Sequence, residues 1–244
     1  SNSISVVQNS SSSAASFVAI SASAASSGTD VTNISNNVVS GISMTGSAGY
    51  VSFTGIGFSP FYNSSITITN NTIGSTTLAT AINNATPGPL YGISLSGRYV
   101  NNVTNNTIAN LTQSGTGTTN NQVIGISASG SPAGPFNMTG NTIYNLTSSS
   151  GLTATGSGSS VIGMSVTGAT AGHLVSGNEI YGLVNTNPTA AAQVIGLYYA
   201  GPATGTNVVA RNFIHSLGLS TSATGAGIHG IFANGGQTSY ENNL

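Results

Sequence analysis

A short pattern, apolar–x–x–Asn–x–apolar, returns along the whole 244-residue chain and limits its fold more than any other feature. It reads Ile34-Ser-Asn-Asn37-Val-Val39, Ile68-Thr-Asn-Asn71-Thr-Ile73 and Val103-Thr-Asn-Asn106-Thr-Ile108. It continues as Met138-Thr-Gly-Asn141-Thr-Ile143, Val175-Ser-Gly-Asn178-Glu-Ile180 and Val209-Ala-Arg-Asn212-Phe-Ile214. Asn2 and Asn243 keep the same frame, so the repeat asparagines are 35, 34, 35, 35, 37, 34 and 31 residues apart. A period of that length belongs to chains whose units cannot bury an apolar face alone and must stack.

A second motif lies between successive asparagines. It reads Tyr91-Gly-Ile-Ser-Leu-Ser-Gly97, Ile124-Gly-Ile-Ser-Ala-Ser-Gly130, Ile162-Gly-Met-Ser-Val-Thr-Gly168, Ile195-Gly-Leu-Tyr-Tyr-Ala-Gly201 and His229-Gly-Ile-Phe-Ala-Asn-Gly235. Weaker copies begin at Val18 and Thr54. Alternation in Ile124-Gly-Ile-Ser-Ala-Ser predicts a half-buried strand with Ile124, Ile126 and Ala128 inward and Gly125, Ser127 and Ser129 outward. The asparagine motif reads as strand, corner, strand, because Asn tolerates the left-handed region and bonds its own backbone. Length varies mainly in Gly/Ser/Thr stretches such as 113–121 and 148–160, which predicts loops on one side of the stack.

Together the motifs predict one all-β domain over residues 1–244, a parallel β-helix of about seven coils with about 35 residues each. Asn37, Asn71, Asn106, Asn141, Asn178 and Asn212 then superpose as a structural ladder, amide to amide along the axis. The N-T-I-x-N-L runs at 106–111 and 141–146, each beside a glycine motif, resemble the coils of right-handed parallel β-helix proteins, the pectin-lyase-like superfamily and the repetitive bacterial surface proteins related to it. That resemblance covers nearly the whole chain, implies the right hand, and is unspecific for activity. The rival architecture is a seven-bladed propeller. Its blades need about 40 residues and four strands, whereas two or three strands are legible per unit.

Composition narrows the function. Only 2% of the residues are charged, against about 25% in ordinary soluble domains. The five are Asp30, Arg98, Glu179, Arg211 and Glu241, for a net charge of −1. Nucleic acid needs Lys and Arg against its phosphates, so neither it nor an anionic membrane surface is an expected partner. No apolar run is long enough to span a bilayer. The resembled family's polysaccharide-cleaving members use clustered acids, sometimes with calcium. Hydrolysis of that kind needs paired carboxylates, and Asp30, Glu179 and Glu241 sit at different phases of the repeat. No catalytic, cofactor or metal residue is therefore assigned, and no enzyme activity is expected. His173, His215 and His229 also differ in phase and read as surface or turn residues rather than a metal trio.

Tyr198 and Phe232 replace the outward serine in adjacent late units, which makes them a possible binding surface for a sugar ring or a neighbouring molecule. The serines and threonine Ser94, Ser96, Ser127, Ser129, Ser165 and Thr167 form an array that could meet glycan or ice. Neither end carries a polar cap in the sequence, and solenoids normally need caps. The expectation is an extracellular or cell-surface structural protein forming a rigid rod, with copies stacking head to tail into a filament, sheath or stalk. The alternative is an adhesin or a glycan- or ice-binding module, as a segment of a longer repetitive surface protein.

Overall fold

The computed structural model describes residues 4–7, 14–23, 31–45, 49–59, 64–96, 100–130 and 134–244, with side chains from 14 onward. The expectations for Asn2, Asp30 and Arg98 lie outside these residues. The chain is a parallel β-solenoid of about six turns, neither a propeller nor a barrel. Seven levels of strand enclose those six intervals, one fewer than the coil count the repeats suggested.

Three parallel sheets wrap one apolar interior. The glycine sheet stacks Ala15–Ala22, Val51–Phe58, Leu90–Ser96, Val123–Gly130, Val161–Gly168, Gln193–Ala200 and Gly227–Ala233. The approach sheet stacks the seven strands that lead into the asparagine corners, from Val31–Ser35 to Ser239–Glu241. The exit sheet carries the strands that leave those corners, among them Thr107–Gln113 and Thr142–Ser148. Equivalent residues sit directly above one another. Val39, Ile73, Ile108, Ile143, Ile180 and Ile214 form one inward column. Ile34, Ile68, Val103, Met138, Val175 and Val209 form another. Like side chains packed on like at the strand spacing fill the interior at every level, so the stack can do without ion pairs.

Two left-handed residues per coil make the turns. The first immediately precedes each ladder asparagine: Asn36, Asn70, Asn105, Gly140, Gly177, Arg211 and Asn242 all have φ between 49° and 65°. The second interrupts the exit strand at Gly41, Asn110, Asn145, Gly182 and Ser216. At this kink Ile108 and Leu111 both face inward although three residues apart.

The glycine sheet corrects the predicted alternation. Gly125 faces the interior, and Ile124 faces out. A β-carbon on Gly125 would lie 2.6 Å from Ile143 Cγ2 and 2.5 Å from the Gly163 carbonyl oxygen. Gly92 meets Ile108 and the Gly125 carbonyl in the same way. The glycine column is thus the slot into which the exit-sheet isoleucines insert. Both Gly125 and Ile126 point inward, the period of two breaks between them, and the core residue before the glycine is Val123, not Ile124. Ile124, Ile162 and Ile195 instead form a second apolar cluster on the outer face, with Tyr198.

Candidate functional site

The asparagine column is the most extensive polar feature of the described residues. Each ladder side chain works in both directions along the axis. Asn106 donates from its backbone N–H and from Nδ2 to Asn141 Oδ1, both at 3.0 Å. Its second Nδ2 hydrogen goes back to the Ile68 carbonyl at 2.9 Å. The same set links Asn71 to Asn106, Asn141 to Asn178, Asn178 to Asn212 and Asn212 to Asn243. Asn37 begins it among the described residues, donating to Asn71. The five between Asn71 and Asn212 are buried, while Asn37 and Asn243 are half-buried. Buried amides of this kind are tolerable only when every donor and acceptor is met. The left-handed residue before each one turns the side chain into the coil.

The ladder has a polarity. From Asn71 to Asn243 each Oδ1 accepts from the preceding level, and from Asn37 to Asn212 each asparagine donates to the following one. A level added after Asn243 must offer an acceptor.

A second buried polar column was not legible in the sequence. At the far end of the exit sheet, Met44, Asn84, Gln113, Ser148, Asn185 and Leu219 share one inward position. Its four polar members are buried and tie down the loops of neighbouring coils. Asn84 Nδ2 donates to the Val51 carbonyl at 2.8 Å and its Oδ1 accepts from the Thr86 hydroxyl at 2.7 Å. Gln113 Nε2 donates to the Gly88 carbonyl. Asn185 Nδ2 reaches the Ser160 hydroxyl at 2.9 Å. These residues vary in type because each answers a loop of different length, which hides the column from a search for identical letters.

Tyr198 and Phe232 do face away from the core, stacked with ring centroids 5.7 Å apart. Tyr198, however, is only 4% exposed. The loop carrying the single turn Gly156–Gly158 lies against its strand, and a β-carbon on Gly156 would touch its ring at 3.4 Å. Its hydroxyl accepts from Asn234 Nδ2 at 2.8 Å. The open face of this pair is therefore Phe232 alone. The serine array is in register, Ser94 on Ser127 on Ser165 and Ser96 on Ser129 on Thr167. Where Gly57 interrupts the first column, a shallow depression of about 210 Å³ opens, lined by Val18, Ser21, Thr54, Ser94 and Ser96.

The histidines separate in the structure. His173 lies in the connection between Val161–Gly168 and Leu174–Ser176, but it is buried, which corrects the surface half of its reading as a surface or turn residue. His215 ends a half-exposed outer stack with Tyr144 and Tyr181, rings 5.0 Å apart and within 3° of parallel. His229 contacts Gln193 Oε1 at 3.2 Å. Burial raises the Tyr181 phenol above its ordinary value, with smaller contributions from Tyr144 and Glu179. Among the described residues, no three of His, Cys, Asp or Glu gather as a metal site would require.

Compared with known proteins, the chain matches no family model, no curated protein and no solved structure.

Proposed function

We propose that this chain is a structural protein of the cell exterior whose work is to be a stiff axial rod, extended by further levels stacked end to end. The observation that supports this most is the unbroken asparagine ladder, from Asn37 to Asn243, in which every asparagine-to-asparagine bond is donated to the following level. A polar ladder adds levels in one orientation only, since the reverse orientation sets donors against donors. Such an interface is heterologous and does not close on itself, the geometry of a filament. The last level keeps Ile228 and Tyr240, both from inward columns, 48% and 42% exposed. The covering level can come from a second copy or from a longer chain of the same repeat. Kinship with the right-handed pectin-lyase-like β-helices is part of this reading.

Negative-stain electron microscopy of the purified chain tests it. Thin filaments with an axial repeat of about 34 Å, seven levels at the strand spacing, are the expected result. Isolated short rods at high concentration overturn self-stacking and leave a stalk segment. A glycan-binding role has the hydroxyl-lined depression beside Gly57 in its favour, and a glycan array distinguishes it.

A further inference from the structure

The approach sheet contains one level at which a titratable side chain takes over a backbone acceptor. In the earlier coils the first inward residue donates its N–H to a carbonyl of the next level: Ile66 to Val100 at 3.2 Å and Asn101 to Pro135 at 3.1 Å. At the following level the Phe136 N–H goes instead to His173 Nδ1, at 3.1 Å. One level further, Asn207 Oδ1 accepts from the backbone N–H groups of Gly172 and His173, at 3.0 and 3.2 Å, and Asn207 Nδ2 donates to the Gln237 carbonyl at 2.7 Å. Side chains therefore carry the ladder through this corner in two successive coils.

The His173 ring is 2% exposed. It stacks on Phe136 at 5.2 Å and meets the edge of Tyr199 at 6.1 Å. Because Nδ1 accepts, Nε2 carries the proton, and it faces the Gly168 backbone without a hydrogen bond of good geometry. The titratable groups packed around it are Tyr199 and, beyond that, Tyr240. No charged side chain of the described residues contributes to its titration. Arg211 and Glu241 are exposed, and Glu179 lies on the outer side of the exit sheet.

We propose that His173 is an acid-sensitive latch, whose protonation opens this corner of the solenoid between Phe136 and Asn207 while the asparagine ladder keeps its pairing. Protonating Nδ1 turns an acceptor into a donor that faces the Phe136 N–H. It also places a cation where no anion answers it. The direction of the titration agrees. Burial, opposed by the Gly168 backbone, lowers the imidazole below its ordinary 6.5. The native ring then holds its proton less well than the unfolded one. Stability from this group is complete above the unfolded value and is lost as pH falls below it.

The test is amide exchange of the full chain, corrected for the intrinsic rate, at about pH 7.5 and about pH 5. Protection of the Phe136 amide is expected to fall, by at most about thirtyfold, the limit for an unfolded imidazole titrating at its ordinary value. Protection at Asn106 and Asn141 is expected to hold. His173→Asn supplies the amide acceptor already used at Asn207 and is expected to abolish the loss at Phe136. Unchanged protection in the native chain, or an equal loss in the variant, overturns the proposal. Should the variant not fold, a ring NMR titration of the native chain decides. A His173 imidazole that takes up its proton with the Phe136 amide still protected refutes the latch.

Discussion

Removing one asparagine from the middle of the ladder is the sharpest perturbation of this fold. Asn141 is fully buried. Its Oδ1 accepts from the Asn106 N–H and Nδ2, both at 3.0 Å, and its Nδ2 donates to Asn178 Oδ1 at 3.0 Å and to the Val103 carbonyl at 2.8 Å. Asn141→Ala deletes all four bonds. Asn178 Oδ1 keeps the Asn141 backbone N–H, so its loss is partial. The Asn106 N–H and the Val103 carbonyl lose a partner inside the stack, while Asn106 Nδ2 keeps the Ile68 and Thr104 carbonyls. A buried group left unpaired costs about 1–3 kcal/mol, so a total loss of about 2–6 kcal/mol is expected for the two. Asn137→Ala is the control, because Asn137 lies half-buried on the outer face with one side-chain bond, to Asn102 at 2.8 Å. Its loss should stay below about 1 kcal/mol. Urea unfolding gives the global value. Exchange at the Asn106 amide gives the local one, which is needed because stacked repeats can open separately. If Asn141→Ala costs no more than Asn137→Ala, the ladder is incidental to the stack and the argument from it fails.

Two further substitutions test the corners and the slot. Gly125→Ala places a methyl against Ile143 and the fixed Gly163 carbonyl, and thermal unfolding should show a loss of about 1–3 kcal/mol or more from overpacking. Arg211 holds φ of 53° at a corner where other coils use Asn or Gly. Arg211→Asn should therefore stabilise, by up to about 1 kcal/mol, read as a higher midpoint in the same thermal scan.

Much of this architecture follows from letters alone, for a physical reason. A stack of identical levels makes every inward column a repeat in the sequence, so Asn106, Ile108 and Val103 announce their neighbours 35 positions away. The period, the parallel solenoid and the superposition of the asparagines are set at that level. Local alternation was a weaker guide. It put Ile124 inside and Gly125 outside, because period two says only that faces alternate. It does not say where another sheet comes close enough to exclude a side chain. The exit-sheet isoleucines decide that, and they belong to a different segment of the coil.

The same limit explains the remaining misses. Tyr198 was legible as an outward aromatic, but its cover comes from the loop at 156–158, one coil earlier, whose path no pattern specifies. Asn84, Gln113, Ser148 and Asn185 share a column but mix three residue types, since each completes the hydrogen bonds of a different loop. His173 reads as one more polar residue before an asparagine motif until the Phe136 N–H is found waiting for it. Sequence by itself determined what repeats: the coil, its corners and the axial ladder. Tertiary structure decided what does not repeat, namely which polar groups are buried and which aromatic is covered. Those outcomes depend on the contacts one coil makes with the loops of the next.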